Sequence, residues 1–156
     1  MSESVKFVVQ TDLSKVLPEL RPETMRRAAA AGGEVIRGNA KANIERTFSN
    51  AHGDAGLAGS IIVETSMKEL GSTSECEVTV GPTALHGRIQ ELGGTIRPVS
   101  KNMLSWPTES GERAFAKEVT LPPRPYLRPA VDEHQAEIEA AIAEQVRLGI
   151  ERSSNG

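Results

Sequence analysis

The sequence predicts an α+β fold: an antiparallel sheet with a long helix in the N-terminal half and a C-terminal helix packed on it. Two long patterns with apolar residues at three- and four-residue steps indicate the helices, and most β-branched runs lie between them. Strands grouped apart from helices favour α+β over a doubly wound parallel sheet. At 156 residues, we expect a single α+β domain over residues 1–150 and a flexible tail over residues 151–156.

The first quarter of the chain predicts a strand at residues 5–9, a brief helix around residues 13–17 and then the long helix. Pro22 suits the first turn of that helix, and Gly32–Gly33 in its middle costs about 1 kcal/mol per glycine and favours a bend. The residues on its predicted buried face are mostly small or aliphatic: Met25, Ala29, Gly32, Ile36, Ala40, Ile44 and Phe48.

The middle of the chain predicts two strands, residues 60–65 and 76–80, with the polar residues 66–74 as their connection. Gly81-Pro82 should stop the second strand, and a short helix around Ile89 should end at Gly93–Gly94. Further on, residues 103–106 and 115–120 predict a hairpin. We expect residues 60–65, 76–80 and 115–120 to form one sheet, with both long helices on one face.

The last predicted helix runs from Pro129 to about Leu148, with Ile138, Ile142 and Val146 on its apolar face. Its stretch from Pro129 to Ile150 has five acidic residues and one basic residue, whereas the stretch from Arg21 to Arg46 has six basic and three acidic ones. Such opposite charges fit either two solvated faces or complementary surfaces of adjacent subunits.

Composition excludes several classes of function. A formal charge of −3 and a pI near 5.7 argue against neutralising many phosphates, so we expect no tight duplex DNA binding in a gel-shift assay. Aromatic residues make up 3% of the chain, few for a small-molecule pocket. No apolar run approaches a membrane span and no signal peptide begins at Met1, so no membrane association is expected.

The sequence offers no catalytic, cofactor or metal site. His52, His86 and His134 belong to no metal-binding pattern, no Gly-x-Ser-x-Gly elbow is present, and Gly53–Gly59 lacks the Lys-Ser/Thr pair of a phosphate loop. The single Cys76 excludes an intramolecular disulfide and is interpreted as an ordinary strand residue. We therefore predict a protein that is not an enzyme.

Residues 121–130 contain four prolines and predict a stiff extended arm that leads into the last helix. Tyr126 and Leu127 lie between Arg124 and Arg128, and this apolar pair suits docking either onto the protein's own core or onto a neighbour. We expect the arm to contribute more to assembly than to folding. A double replacement of Tyr126 and Arg124 by alanine should then leave a folded subunit that fails to assemble.

Glu91 lies two residues before Gly93–Gly94. Its carboxylate can accept hydrogen bonds from the amides of its own loop or pair with an arginine of the arm, or it can be an ordinary surface glutamate. The candidates for a subunit interface are Glu91, Gly93, Gly94, Arg124, Pro125, Tyr126, Leu127 and Arg128.

Four motifs in order give the chain a family resemblance over roughly residues 24–150: Gly56-Leu57-Ala58-Gly59-Ser60-Ile61, Val80-Gly81-Pro82, Glu91-Leu92-Gly93-Gly94 and Arg124-Pro125-Tyr126-Leu127-Arg128-Pro129-Ala130. It resembles the tail-completion, or head–tail joining, proteins of long-tailed bacteriophages, also called minor tail or virion morphogenesis proteins. The resemblance implies a non-enzymatic virion protein that is assembled in the host cytoplasm. It also implies a ring, a hexamer, at the phage neck or head-proximal end of the tail.

The implied partners are further copies of the chain, the neck connector, and the tail tube or tail terminator proteins. Genome DNA would pass through the ring without tight binding. Two alternatives stay open at this point. One is a monomeric module that binds a protein through the proline-rich arm, and the other is a small hydrolase.

Overall fold

The computed structural model describes residues 7–11, 21–48, 56–70, 73–108 and 110–155, and these residues form an α+β fold as predicted. The strands are β1 Phe7–Thr11, β2 Ile61–Leu70, β3 Thr73–Pro82, β4 Gly94–Ile96, β5 Leu104–Pro107, β6 Arg113–Ala116 and β7 Val119–Leu121. The helices are α1 Pro22–Thr47, α2 Gly87–Leu92, α3 Leu127–Asp132 and α4 Gln135–Ser154. The brief helix predicted around residues 13–17 lies outside the described residues.

The main sheet is antiparallel with the strand order β1-β3-β2. Phe7 is opposite Val80 at one end of the β1–β3 ladder, and Val63 is opposite Val80 across β2 and β3. The sequence prediction that residues 115–120 supply a strand of this sheet is wrong. Those residues pair elsewhere: β6 pairs with β5 across a short turn, and β7 pairs with β4 at the two ends of the segment that contains β5 and β6.

Strands β2 and β3 are longer than predicted, so the interpretation of residues 66–74 as a connection is wrong. Met67 packs against the core while Ser66 and Lys68 are exposed, which is the alternation of a half-buried strand. The polar outward side chains of this stretch resemble a loop in composition. Lys68 forms an ion pair with Glu77 on β3, which supports the pairing of the two strands.

Helix α1 lies between the sheet and α4, and its predicted apolar face is confirmed. Met25, Ile36, Ala40 and Ile44 are buried in the core with Val78 and Val80 of β3. The main contacts of α4 are with α1, and α1 in turn contacts β2 and β3. The prediction that both long helices pack on the sheet therefore holds for α1 and is wrong for α4, which packs on the other side of α1 as a further layer.

The Gly32–Gly33 pair allows close approach on two sides of α1. A Cβ atom at Gly33 would lie 2.7 Å from Val63 Cγ1 of β2, and one at Gly32 would lie 3.0 Å from the Ile142 side chain of α4. The helix is continuous from Pro22 to Thr47. The two glycines thus bring the sheet and the last helix close to the α1 backbone.

We expect Gly33→Ala to lower the free energy of unfolding by about 1–3 kcal/mol, because the new methyl group would overpack against the stiff side chain of Val63. Gly38→Ala is the matched control on the same helix, since a Cβ atom there meets nothing within 4 Å. That substitution should raise stability by about 0.5–1 kcal/mol. Urea unfolding followed by circular dichroism measures both, and equal changes of the same sign would contradict the proposed packing.

The last predicted helix is divided into α3 and α4. His134 has a non-helical backbone conformation, and its carbonyl accepts the N–H of Ile138 as α4 begins. Helix α4 continues to Ser154, beyond the Leu148 predicted from the apolar pattern. Its buried side carries Ile138 and Gly149, and a Cβ atom at Gly149 would lie 2.7 Å from Thr24 Oγ1 of α1.

Residues 94–121, which we call the hairpin excursion, leave the body after α2 and return to it before the arm. At its base β4 pairs with β7, and further out β5 pairs with β6, which confirms the predicted hairpin. Arg97 and Glu118 form an ion pair of 3.0 Å between these two ladders. None of the described residues of the excursion is buried.

Within the described ranges, the structure contains no helix with the length and apolar character needed to cross a membrane.

Candidate assembly site at the proline arm

Residues 122–129, which we call the proline arm, dock on the chain's own core. Tyr126 and Leu127 have exposed fractions of 0%, whereas Pro122, Pro123, Arg124, Pro125 and Arg128 are exposed. Of the two docking alternatives left open by the sequence, the structure therefore shows the intramolecular one for the apolar pair. Pro129 lies in the first turn of α3, where a missing backbone N–H is tolerated.

The side chain of Glu91 in α2 clamps the proline arm through hydrogen bonds to the backbone of the arm. Its side chain is 4% exposed, and its carboxylate accepts hydrogen bonds from the N–H groups of Tyr126 at 2.7 Å, Leu127 at 2.9 Å and Arg128 at 3.0 Å. These amides belong to the start of α3, which has no cap from its own Tyr126 side chain. A charged acceptor makes such bonds stronger than neutral ones.

This geometry corrects the sequence interpretation of Glu91. The acceptor role was predicted, but the donors are amides of the arm rather than amides of the Gly93–Gly94 loop or the guanidinium groups of the arm. The interpretation as a surface glutamate is wrong, because the carboxylate is buried. A buried carboxylate that is fully hydrogen-bonded in this way fixes the position of the chain that bonds to it.

Tyr126 is held at both its ring and its backbone. Its hydroxyl group donates to the Gly87 carbonyl oxygen at 3.1 Å, and its own carbonyl oxygen accepts from Asn43 Nδ2 at 3.1 Å. Burial, with a smaller contribution from the Glu91 charge, raises the pKa of Tyr126, so the phenol stays neutral at physiological pH. Asn43 is itself buried and accepts a hydrogen bond from Arg46 at 2.8 Å. The arm is thereby tied to both α1 and α2.

Two glycines allow α2 to approach the arm. Gly93 has φ +69°, and a Cβ atom there would lie 2.7 Å from the Pro123 nitrogen. A Cβ atom at Gly87 would lie 2.7 Å from Pro82 Cβ and 3.0 Å from the Tyr126 hydroxyl oxygen. Beside Gly93, the N–H of Arg124 donates to the Gln90 carbonyl oxygen at 2.7 Å. Gly94 has φ +149° and begins β4.

The two arginines of the arm are exposed. The guanidinium carbon of Arg124 lies 5.7 Å from the centroid of the Phe48 ring, and neither Arg124 nor Arg128 forms an ion pair with a described residue. The outer surface of the arm is thus a basic, proline-rich ridge fixed from behind by Glu91 and Tyr126. Whether the eight predicted residues lie at a subunit interface stays a prediction.

Sequence reasoning missed Asn43 and Gly87. Asn43 had a detectable signal, because it is a polar residue beside Ile44 on the predicted apolar face of α1. Gly87 gave none, since its role depends on Pro82 and Tyr126, which are close only in three dimensions.

His52 lies outside the described residues. Among the described residues, no group of three or more His, Cys, Asp or Glu side chains is placed to hold a metal ion.

Comparison with known proteins relates the chain to a protein family. A family model described as "Bacteriophage HK97-gp10, putative tail-component" matches residues 8–93. The matched region runs from β1 through α1, β2 and β3 to the end of α2, so it includes Glu91 and Gly93 but not the proline arm. No curated protein and no solved structure matches the chain.

Proposed function

Since the chain belongs to the bacteriophage HK97-gp10 family of tail components, we propose that it forms a ring, a hexamer, at the phage neck or head-proximal end of the tail. The resemblance to bacteriophage tail proteins drawn from the sequence motifs is confirmed at the family level. As a tail component the protein is a structural part of the virion and interacts with other virion proteins. The ring would complete the tail and join it to the capsid connector, without enzymatic activity.

The observation that carries this proposal is the family match over residues 8–93, more than half of the chain. The docked arm adds a physical reason for assembly. A ridge that is already rigid loses little conformational entropy when it meets a partner. Arg124 and Arg128 on this ridge can make bidentate contacts with carboxylates of a neighbouring subunit, of the connector, or of a tail tube or terminator protein.

The eight interface candidates take two parts in this proposal. Arg124, Pro125 and Arg128 are exposed and would make the contacts, while Glu91, Gly93, Gly94, Tyr126 and Leu127 would hold the arm in place. Genome DNA would pass through the ring without tight binding, because the net charge of −3 repels a polyanion.

Size-exclusion chromatography with light scattering tests the ring. We expect the protein to assemble at high concentration into a closed species that is a multiple of the 16.7 kDa subunit. Arg124→Ala with Arg128→Ala should weaken this assembly while the melting temperature falls by no more than about 4 °C, because exposed side chains contribute little to folding. Arg152→Ala, an exposed arginine near the end of α4, is the control.

A protein that stays at 16.7 kDa under every condition would contradict the ring and support the alternative of a monomeric binding module. A ring that forms equally well in the double arginine variant would place the subunit contacts away from the arm. In that case a head–tail joining assay with purified phage heads and tails tests whether the arm contacts another virion protein.

A further inference from the structure

The hairpin excursion has no interior of its own. It carries five of the nine exposed large apolar side chains found among the described residues: Ile96, Val99, Met103, Trp106 and Phe115. A two-stranded hairpin is marginally stable by itself in water, and a concentration of exposed large apolar groups in one segment indicates an interaction surface. The excursion therefore has the properties of a docking element rather than a part of the core.

The register of β5 and β6 gathers apolar groups on one face of the hairpin. Leu104 is opposite Ala116 and Trp106 is opposite Ala114, and directly opposed residues of an antiparallel pair share a face. The Trp106 side chain is 40% exposed on this face. Phe115 is opposite Ser105 and therefore lies on the other face. Two exposed cations, Lys101 and Lys117, are close in sequence to the strands, and neither forms an ion pair with a described residue.

Helix α4 has a second apolar stripe on the side turned away from α1. Its apolar members are exposed and recur at helical spacing: Ala136, Ala140, Ala143 and Ile150. On the helical wheel they lie opposite Ile138 and Ile142, which face α1. Arg147, which is also exposed, lies between Ala143 and Ile150 on the same side of the helix. Glu139 borders the stripe on one side and forms no ion pair with a described residue, whereas Glu144 and Glu151 on the other side are paired with Arg147.

We infer that the hairpin excursion of one copy docks on the outer stripe of α4 in the next copy. This inference rests on the proposed ring and names the two surfaces that would join its subunits. The apolar hairpin face would cover the alanines and Ile150, and Lys101 or Lys117 would meet Glu139. Because the two surfaces differ, the contact is head-to-tail, which is the type of contact that closes a ring by rotation.

Charge and shape select this stripe over the other surfaces of the body. The stretch of α1 from Arg21 to Arg46 has six basic and three acidic residues and would repel the two lysines. The exposed face of β2 carries Ile62 together with the polar residues Glu64, Ser66 and Lys68, so it has no continuous apolar stripe. The stripe on α4 combines apolar groups with an acidic border over a helix of 20 residues, and the charge of Arg147 within it is offset by its ion pairs with Glu144 and Glu151.

Charge reversal with rescue is the first test. Lys101→Glu with Lys117→Glu should weaken self-association by about tenfold or more, measured by sedimentation equilibrium, because two attractive contacts become repulsive. Adding Glu139→Lys to that variant should restore association to within about threefold of the unaltered protein. The melting temperature of the monomer should stay the same in all variants, because these side chains are exposed. Failure of the rescue would overturn the pairing with α4.

Disulfide trapping is the second test. A Val99→Cys variant mixed with an Ala143→Cys variant should give an intermolecular disulfide, seen as a dimer in non-reducing electrophoresis and located by mass spectrometry. Cys76 is 1% exposed and serves as an internal control that should not react. Ile62→Cys, on the exposed face of β2, is the control partner for Val99→Cys and should trap far less dimer.

The outcomes separate this docking from the ring itself. If the unaltered protein never assembles, both the ring and the docking are overturned. If rings form, the charge reversal does not affect them and the Val99→Cys and Ala143→Cys variants trap no dimer, the docking alone is overturned. If the hairpin variants form rings but fail to join phage heads to tails, another virion protein is the occupant of the hairpin and the assignment of a second copy is wrong.

Discussion

Tyr126→Ala is expected to lower the free energy of unfolding by about 3–5 kcal/mol, because it removes a fully buried aromatic ring between α1, α2 and the arm. For a domain whose total stability is about 5–15 kcal/mol, such a loss leaves a substantial unfolded fraction near 37 °C. Urea unfolding followed by circular dichroism gives the value. A variant as stable as the unaltered protein would show that the ring does not pack where the structure places it.

Two milder variants separate the contributions of the Tyr126 hydroxyl group and of Arg124 to the stability of the arm. Tyr126→Phe keeps the ring and loses only the hydrogen bond to the Gly87 carbonyl oxygen, so it should cost about 1 kcal/mol. Arg124→Ala removes an exposed side chain and its contact with Phe48, so it should cost about 0.5–1 kcal/mol. The double variant expected from the sequence to stay folded should therefore lose stability mainly through Tyr126.

Glu91→Ala is expected to cost about 3 kcal/mol or more, because three backbone N–H groups lose their charged acceptor at once. The N–H groups of Tyr126 and Leu127 would then be buried donors without a partner, and the start of α3 would have no cap. Glu91→Gln should cost less, since the amide oxygen can still accept while its NH₂ group faces another donor. Denaturant midpoints of the two variants measure this order.

Glu139→Gln is the matched control for the Glu91 variants, because Glu139 is exposed and should change stability by less than about 0.5 kcal/mol. Equal effects at the two positions would contradict the clamp. The costs of Glu91→Ala and Tyr126→Ala should not add in the double variant, because both substitutions release the same segment of chain. A double-mutant cycle measures that coupling.

The elements with strong periodic signals were predictable from the sequence. The apolar spacing from Met25 to Ile44 defined the buried face of α1, and Pro22 marked its start. The glycines after Leu92 marked the end of α2, since a positive φ at Gly93 is what that position requires. These features follow from local chemistry, which the order of residues contains directly.

The features that were not predictable depend on which segments meet. Alternation indicates a strand but not its partner, so β1 was not expected to complete the sheet in place of residues 115–120. The polar residues of β2 resembled a loop because only the inward positions of that strand are apolar. For the same reason the sequence left open whether Tyr126 docks on the protein's own core or on a neighbouring subunit. It also gave no sign that Glu91 would accept hydrogen bonds from three amides of the arm.

The pairing of Gly94 with Leu121 has a consequence for how the chain can vary. The hairpin excursion starts and ends at one point of the body, so its length does not strain the clamp behind it. Closing a loop of twice the length costs only about 0.6 kcal/mol more, because the entropy of closure grows slowly with the number of residues. The site between β4 and β7 is therefore a natural position for insertions. A longer or shorter hairpin excursion extends a different distance toward a partner while the packing of the body stays the same.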